Sequence, residues 1–180
     1  NKGKVRIVTA RAGNVIGGGD WAKNRIIPDY IKSIQSNKIL KIRNPNATRP
    51  WQHVLEPLYG YLTLSLLLKA KRNLHGNSFN FGPNQYSNKK VIDVINEMKK
   101  NSIYGKYNIL KISKSKKLES QLLQLNCSKA KKLLNWSTKL NFYKTIKLTA
   151  EWYGSYLRNT GKNKIKTFDQ ISDFMNLIKK

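Results

Sequence analysis

The sequence predicts an α/β fold from three observations. Short β-branched runs alternate with segments whose apolar residues recur at helical spacing, turns rich in Gly, Pro and Asn separate the two kinds, and no stretch repeats internally. Val5-Arg6-Ile7-Val8-Thr9-Ala10 is compact and β-branched and reads as a buried strand. A Gly-rich loop, Arg11 to Asp20, follows it. Arg25 to Gln35 carries Ile26, Ile27, Tyr30, Ile31 and Ile34 on one face, with Pro28 in the first turn of the implied helix. Ile39–Ile42 alternates as a short strand, and Asn44 to Pro50 reads as a turn-rich loop. Leu58 to Ala70 is a strongly apolar helix. Ser78–Phe81 is a strand stopped by Gly82-Pro83, and Val91 to Lys99 is a helix with Val91, Val94, Ile95 and Met98 on one stripe. Strands are expected near Tyr107–Ile112 and Leu122–Leu125. A short helix from Ser128 to Leu134, with Ser128 as its cap, precedes a longer one from Phe142 to Leu157. After a Lys/Asn/Gly hinge, the last helix covers about Phe168 to Ile178. Residues 1–160 read as one unit and 161–180 as a basic helical tail.

Composition narrows the function classes. A chain of 180 residues with 39% hydrophobic residues and few prolines is globular. The apolar run from Leu62 to Leu68 is far too short to span a bilayer, which takes about 20 residues, so no membrane partner is expected. Asn1-Lys2-Gly3-Lys4 is not a signal peptide. The single Cys127 allows no internal disulfide and fits a reducing cytoplasm. A first residue other than Met suggests a chain cut from a longer one. The net charge of +26 invites a nucleic-acid reading. However, 28 of the 35 cations are Lys, and Lys, Asn and Ile together fill 65 positions. That bias marks an AT-rich genome, and no zinc-finger spacing, RNA-recognition motif or basic zipper accompanies it. We read the charge as a solvated surface and keep a basic nucleic-acid-binding module as the alternative from another class.

Three segments carry chemistry. Thr9 to Trp21 takes a strand end into the loop Arg11-Ala12-Gly13-Asn14-Val15-Ile16-Gly17-Gly18-Gly19-Asp20, where α/β sheets place their ligands. Its glycines either admit an anion close to backbone N–H groups or serve an ordinary turn, and Arg11 and Asn14 add donors. Gly17-x-Gly19-x-x-Ala22 formally matches a dinucleotide fingerprint. Six residues separate it from Ala10, and the acidic partner expected about 20 residues later is missing. In Arg43 to Pro57, two arginines beside Trp51 suit a diphosphate and a stacked base. His53 and Glu56 there read either as an acid–base pair or, more simply, as structural hydrogen-bonding groups. Phe79-Asn80-Phe81-Gly82 ends a strand with one polar side chain.

Together these segments resemble the extended short-chain dehydrogenase/reductase family, specifically its nucleotide-sugar 4,6-dehydratases. Arg11 to Asn14 is similar to the family's R-x-x-N strand end, and Ile26-Ile27-Pro28 to its L-I-P helix start. Arg49-Pro50-Trp51-Gln52-His53-Val54-Leu55-Glu56 is similar to R-D-W-x-x-V-x-D, with Pro50 and Glu56 substituted. Phe79 to Gly82 resembles Y-N-x-G, and Leu134-Asn135-Trp136 with Glu151-Trp152-Tyr153 resembles the closing L-G-W…E-W-Y. Gly17-Gly18-Gly19-Asp20-Trp21 and Arg43 to Pro57 resemble the CDP-glucose branch in particular. That branch usually has a His-Glu-x-His-Tyr segment where this chain has Leu118-Glu119-Ser120-Gln121-Leu122.

The resemblance implies the last part of a Rossmann-like sheet plus a small α/β substrate lobe. In that arrangement Val5–Ala10 and Ser78–Phe81 are parallel neighbours, and Ile39–Ile42 and Leu122–Leu125 lie apart in the lobe. It implies substrate binding by Asn14, Arg25, Arg43, Arg49 and Asn80: Asn14, Arg49 and Asn80 on the diphosphate and sugar, Arg43 beside the base, Arg25 at the rim. The family's lyase reaction oxidises the sugar at C4 with bound NAD, eliminates water across C5–C6 and returns the hydride to C6. Its product feeds the synthesis of surface polysaccharide such as lipopolysaccharide. The Tyr-x-x-x-Lys pair and the G-x-x-G-x-x-G that the reaction needs precede the first strand in family order. No catalytic residue is therefore carried over, and NAD is expected mainly on a preceding half. Tyr86/Lys90, Tyr107/Lys111 and Tyr143/Lys147 match Tyr-x-x-x-Lys by chance in a Lys-rich chain. The implied partner is CDP-glucose, with a homodimer of the full-length protein left open. Another nucleotide-sugar dehydratase or epimerase is the nearer alternative.

Overall fold

The computed structural model of the chain describes residues 5–84, 88–110, 125–158 and 163–179. Seven strands and six α-helices alternate along these residues. Strand β1 (Thr9–Ala12) pairs in parallel with β5 (Ser78–Phe81), Thr9 opposite Ser78 and Ala12 opposite Phe81. The expected parallel neighbours are found, but the first of them begins at Thr9 rather than Val5. Residues 75–77, opposite the chain before Thr9, form a turn out of the short 3-10 helix Arg72–Leu74, so no extended partner is available there. Ile7 is held instead by the His75 ring at 2.9 Å and by the N–H of Gly76 at 2.8 Å. Nor is this strand buried. Thr9, Ala10 and Arg11 are exposed, and so are Val5 and Ile7 before them.

The chain changes sheets at Gly13. Strand β2 (Asn14–Ile16) leaves β5 and pairs in parallel with β4 (Thr48–His53), which is antiparallel to β6 (Asn88–Lys90). A side chain at position 13 would meet the Pro50 carbonyl at 3.2 Å, which is tight for any Cβ. The Asn44–Pro50 loop of the sequence reading thus ends at Ala47, and Thr48 to Pro50 are strand. Proline is tolerated because β6 pairs with residues 48–50 and β2 with residues 51–53, so Pro50 stands where the ladder changes partner. Gln52 ties the two sheets together, its Nε2 donating to the Phe81 carbonyl at 2.8 Å.

A third parallel pair, β3 (Leu40–Ile42) with β7 (Tyr107–Ile109), forms a sheet of its own, separate from β1 and β5. The expected strand at Leu122–Leu125 lies outside the described residues except for Leu125, which is not strand; the Leu118 to Leu122 segment also lies outside them. The helices are α1 (Ile26–Gln35), α2 (Leu55–Ala70), α3 (Val91–Lys100), α4 (Ser128–Leu134), α5 (Phe142–Leu157) and α6 (Asn163–Lys179). Helix α4 is not capped by Ser128, its first helical residue. The side-chain oxygen of Asn126 accepts the Ser128 N–H instead, at 2.9 Å. The last helix starts about a turn before Phe168. It docks on α5 through Gln170 Nε2 to the Leu148 carbonyl at 2.8 Å and a Lys166–Glu151 ion pair at 3.2 Å.

Two apolar clusters result. One joins α1, α3 and α5 around Tyr30, Ile31, Ile95, Met98, Ile146 and Tyr153. The other packs α2 and α4 on β5 through Leu64, Phe79, Phe81, Leu134 and Trp136. Gly60 is required in the second, because a Cβ there would lie 2.3 Å from the Phe81 ring. Helix α2 is apolar all round. Leu64 is buried while Leu58, Leu62 and Leu66 on its other side are exposed. No described helix is long and apolar enough to cross a membrane.

Candidate functional site

A cleft of about 550 Å³ opens at the carboxyl end of β1, where parallel strands of α/β folds present their ligands. One wall is Ala12 to Gly17 and a second is Asn24 to Pro28. Arg49 and Trp51 of β4 form a third, with Asp20 at the rim and Val91 and Leu125 closing the space. Three of the five residues singled out in the sequence therefore meet here: Asn14, Arg25 and Arg49. They come from β2, the start of α1 and β4, which the register places side by side, Asn14 opposite Trp51.

The other two stand elsewhere. Arg43 is exposed in the bend after β3 and does not line the cleft, so it and Arg49 do not act as one clamp there. Asn80 points its amide at the Asn126 carbonyl, 3.0 Å away. Asn126 lines a second cleft of about 750 Å³ beyond the end of β5, bounded by Gly82, Asn84, Cys127, Lys131 and Trp136. Leu125 is common to both clefts.

The first cleft has a net positive lining, since Arg25 and Arg49 outnumber the one carboxylate, Asp20. The first turn of α1 also faces it. No side chain caps that helix, Arg25 at its N-cap has extended backbone, and Pro28 has no N–H to satisfy. The N-terminal end of the helix dipole thus meets whatever negative group enters. Nothing in the sequence patterns singled out these backbone groups. Arg49 Nη1 donates to its neighbour's carbonyl, Thr48 O, at 2.8 Å, and the Trp51 indole N–H donates to Lys89 O at 2.8 Å. Trp51 is nearly covered and is a wall of the cleft rather than an exposed stacking plate.

The glycines of the 17–19 loop prove to be structural. A Cβ on Gly18 would lie 2.0 Å from the Trp152 ring of α5, and Gly19 has φ +82°. The next helix begins only at Ile26. Gly17-x-Gly19-x-x-Ala22 therefore offers no strand–turn–helix cradle for a dinucleotide. Helix α5 pins the loop further. The Tyr153 hydroxyl donates to the Asp20 carbonyl at 2.7 Å, and Trp21 packs against Tyr153 and Tyr156. Burial and the Asp20 charge push the Tyr153 phenol well above its ordinary range.

His53 and Glu56 are not an acid–base pair facing a ligand. Both are buried and neither lines either of these two clefts. Burial lowers His53 to about 4, so it is neutral at pH 7. Burial raises Glu56 to about 7, while the backbone N–H groups of Leu140 and Lys139 donate to its Oε1 at 2.6 and 2.8 Å and pull the other way. Glu56 thereby fixes the loop before α5. Cys127 is half-buried, and burial raises its thiol above the ordinary value. Among the described residues no group of His, Cys, Asp and Glu could hold a metal ion. Of the Tyr-x-x-x-Lys matches only Tyr143/Lys147 lies within the described residues, on α5 and away from the cleft.

Comparison with known proteins places this geometry. No family model matches the chain. It is 37% identical over 172 residues to CDP-glucose 4,6-dehydratase of Salmonella typhimurium, which covers 95% of this chain and 47% of that enzyme. The chain thus spans about half the length of the curated relative it matches. Among solved structures, UDP-glucuronic acid 4-epimerase from Bacillus cereus, in complex with UDP-glucuronic acid and NAD, superposes with a TM-score of 0.68. The two are 21% identical, over 84% of this chain and 46% of that one. dTDP-glucose 4,6-dehydratase from Bacillus anthracis, in complex with NAD, gives a TM-score of 0.65 at 19% identity, over 82% of this chain and 44% of that one. By sequence, then, this chain is similar to CDP-glucose 4,6-dehydratase over about half of that enzyme's length, and its fold is that of the matching part of Rossmann-type nucleotide-sugar epimerases and dehydratases.

Proposed function

We propose that this chain forms the nucleotide-sugar side of an NAD-dependent CDP-glucose 4,6-dehydratase, a cytoplasmic lyase whose 4-keto-6-deoxy product is used for surface polysaccharide. The observation that carries the reading is the meeting of Asn14, Arg25 and Arg49 with the uncapped start of α1 around one cleft. A diphosphate fits that donor set. Guanidinium groups and a helix N-terminus both favour dianionic oxygens, and a carboxamide suits a sugar or phosphate oxygen. In this reading Arg49 pairs with the diphosphate, Arg25 closes over it and Asn14 meets the sugar. Asn80 acts by holding Asn126 in the wall of the adjoining cleft, and Arg43 lies toward the base.

NAD supplies the hydride chemistry in this family reading, and we assign its site to polypeptide outside this chain. Two features support that assignment. The 17–19 loop is filled by Trp152, and among the described residues β1 pairs only with β5 and has Thr9, Ala10 and Arg11 exposed. A parallel strand of this kind is ordinarily covered on both sides. The exposed Leu58, Leu62 and Leu66 of α2 are a second uncovered surface.

The test is calorimetry of the purified chain with CDP-glucose, UDP-glucose and NAD, followed by a turnover assay. Binding of CDP-glucose in preference to UDP-glucose, no tight NAD binding and no 4-keto product are expected. Preference for a UDP-sugar points to the epimerase reading instead. A 4-keto product from this polypeptide alone overturns the division of labour.

A further inference from the structure

We infer that Asp20 is a positioning residue that aims Arg25 across the mouth of the cleft, an inference that rests on the nucleotide-sugar reading of the site. Arg25 is the one guanidinium at the rim, and its side chain is 62% exposed. A long side chain so placed samples many rotamers and loses that freedom when a ligand captures it. Asp20 removes part of the freedom beforehand. Its Oδ2 holds Arg25 Nη1 at 3.0 Å. A guanidinium has five N–H donors in a planar fork, so one donor given to Asp20 leaves others for an incoming anion.

Asp20 can act as a fixed point because it is itself held from three sides. Its Oδ1 accepts the Ala22 N–H at 2.9 Å. Its carbonyl accepts the hydroxyl of the fully buried Tyr153 at 2.7 Å. The glycines before it are locked under Trp152, whose indole N–H donates in turn to Thr167 of α6 at 2.9 Å. The rim of the cleft is thereby referred to α5 and the C-terminal helix. An exposed ion pair contributes little to stability, so what this pair supplies is direction. Its carboxylate also repels an anionic ligand; pairing with Arg25 offsets that repulsion, and the sign of the Asp20→Ala effect decides which of the two dominates.

The experiment measures CDP-glucose affinity by calorimetry for wild type, Asp20→Asn, Asp20→Ala, Arg25→Ala and the double variant Asp20→Ala/Arg25→Ala. Thermal melts run alongside. We expect Asp20→Ala to weaken binding roughly 3- to 10-fold, the cost of ordering one rotamer-rich side chain. Asp20→Asn, which keeps an acceptor for the Ala22 N–H but puts an amide NH2 where an oxygen held Arg25, should weaken binding to a similar extent. Asp20→Ala should have no further effect once Arg25 is gone, because coupled residues are non-additive. Equal losses in both backgrounds mean a structural role and overturn the inference, and so does tighter binding by Asp20→Ala. If wild type binds and Arg25→Ala weakens it while Asp20→Ala does not, the inference alone fails. If wild type does not bind CDP-glucose, the nucleotide-sugar reading fails and this inference with it.

Discussion

Replacing Glu56 by Gln should change how stability depends on pH, by an amount that follows from two buried groups on one turn of chain. Glu56 lies in the first turn of α2, fully covered, and burial raises it from 4.5 to about 7. The unfolded chain gives up this proton near pH 4.5 and the folded chain near 7. Across that window the unfolded state holds fewer protons, so stability falls as pH rises. At about 1.36 kcal/mol per pH unit, the fall is about 3 kcal/mol. His53 runs the other way. Burial lowers it from 6.5 to about 4, the unfolded state holds more protons between those values, and stability rises with pH by about 3 kcal/mol. In wild type the two slopes oppose each other from pH 4.5 to 6.5. Glu56→Gln keeps an oxygen for the Lys139 and Leu140 N–H groups but removes the titration. The variant should therefore gain on wild type by about 3 kcal/mol between pH 4.5 and 7. Urea unfolding followed by Trp fluorescence, with the slope against denaturant held constant, reads this directly. The high net positive charge destabilises both proteins alike at low pH and drops out of the difference. A difference that stays constant across the window refutes the burial argument for Glu56.

Three further outcomes are expected. Arg49→Ala should weaken CDP-glucose binding by about 2–4 kcal/mol, the scale for truncating one partner of a close charge pair. Arg49→Lys should recover only part, since an ammonium lacks the planar fork. Equal calorimetric affinities would remove the diphosphate assignment, and a loss seen only as a lower salt slope of DNA binding would favour the nucleic-acid alternative. Gly18→Ala should cost about 1–3 kcal/mol of stability by overpacking against Trp152, whose ring atoms lie 2.0, 2.2 and 2.6 Å from the new Cβ. That cost should vanish in a Trp152→Ala background, and a neutral melt for Gly18→Ala in the native background would show that the loop is not packed as described. His53→Gln should leave a stability that falls steadily from pH 4.5 to 7 in the same urea assay, the mirror of Glu56→Gln; a rise would contradict the neutral, buried imidazole.

Sequence by itself determined the α/β class and most element positions. Helix α5 spans Phe142–Leu157 as its spacing predicts, and β5 spans Ser78–Phe81, because local apolar periodicity and Gly-Pro stops act within a few residues. The similarity to CDP-glucose 4,6-dehydratase was also legible, since Arg43 to Pro57 is a specific string of residue types. Other features were settled only by contacts between distant segments. Pro50 reads as a loop residue until β2 and β6 are seen to divide β4 between them. Val5 to Val8 reads as strand until the turn at residues 75–77 leaves it no partner. Gly17 to Gly19 reads either as an anion-binding loop or as an ordinary turn until Trp152, more than 130 positions away, fills the space beside Gly18. The cleft has the same origin. Asn14 and Arg49 are brought together by strand register, and Arg25 joins them because α1 starts at that edge. Arg43, only six positions from Arg49, is carried off by the bend after β3. Proximity in the chain sets propensity; which groups share a ligand depends on pairing and packing over long separations, and no local pattern encodes those distances.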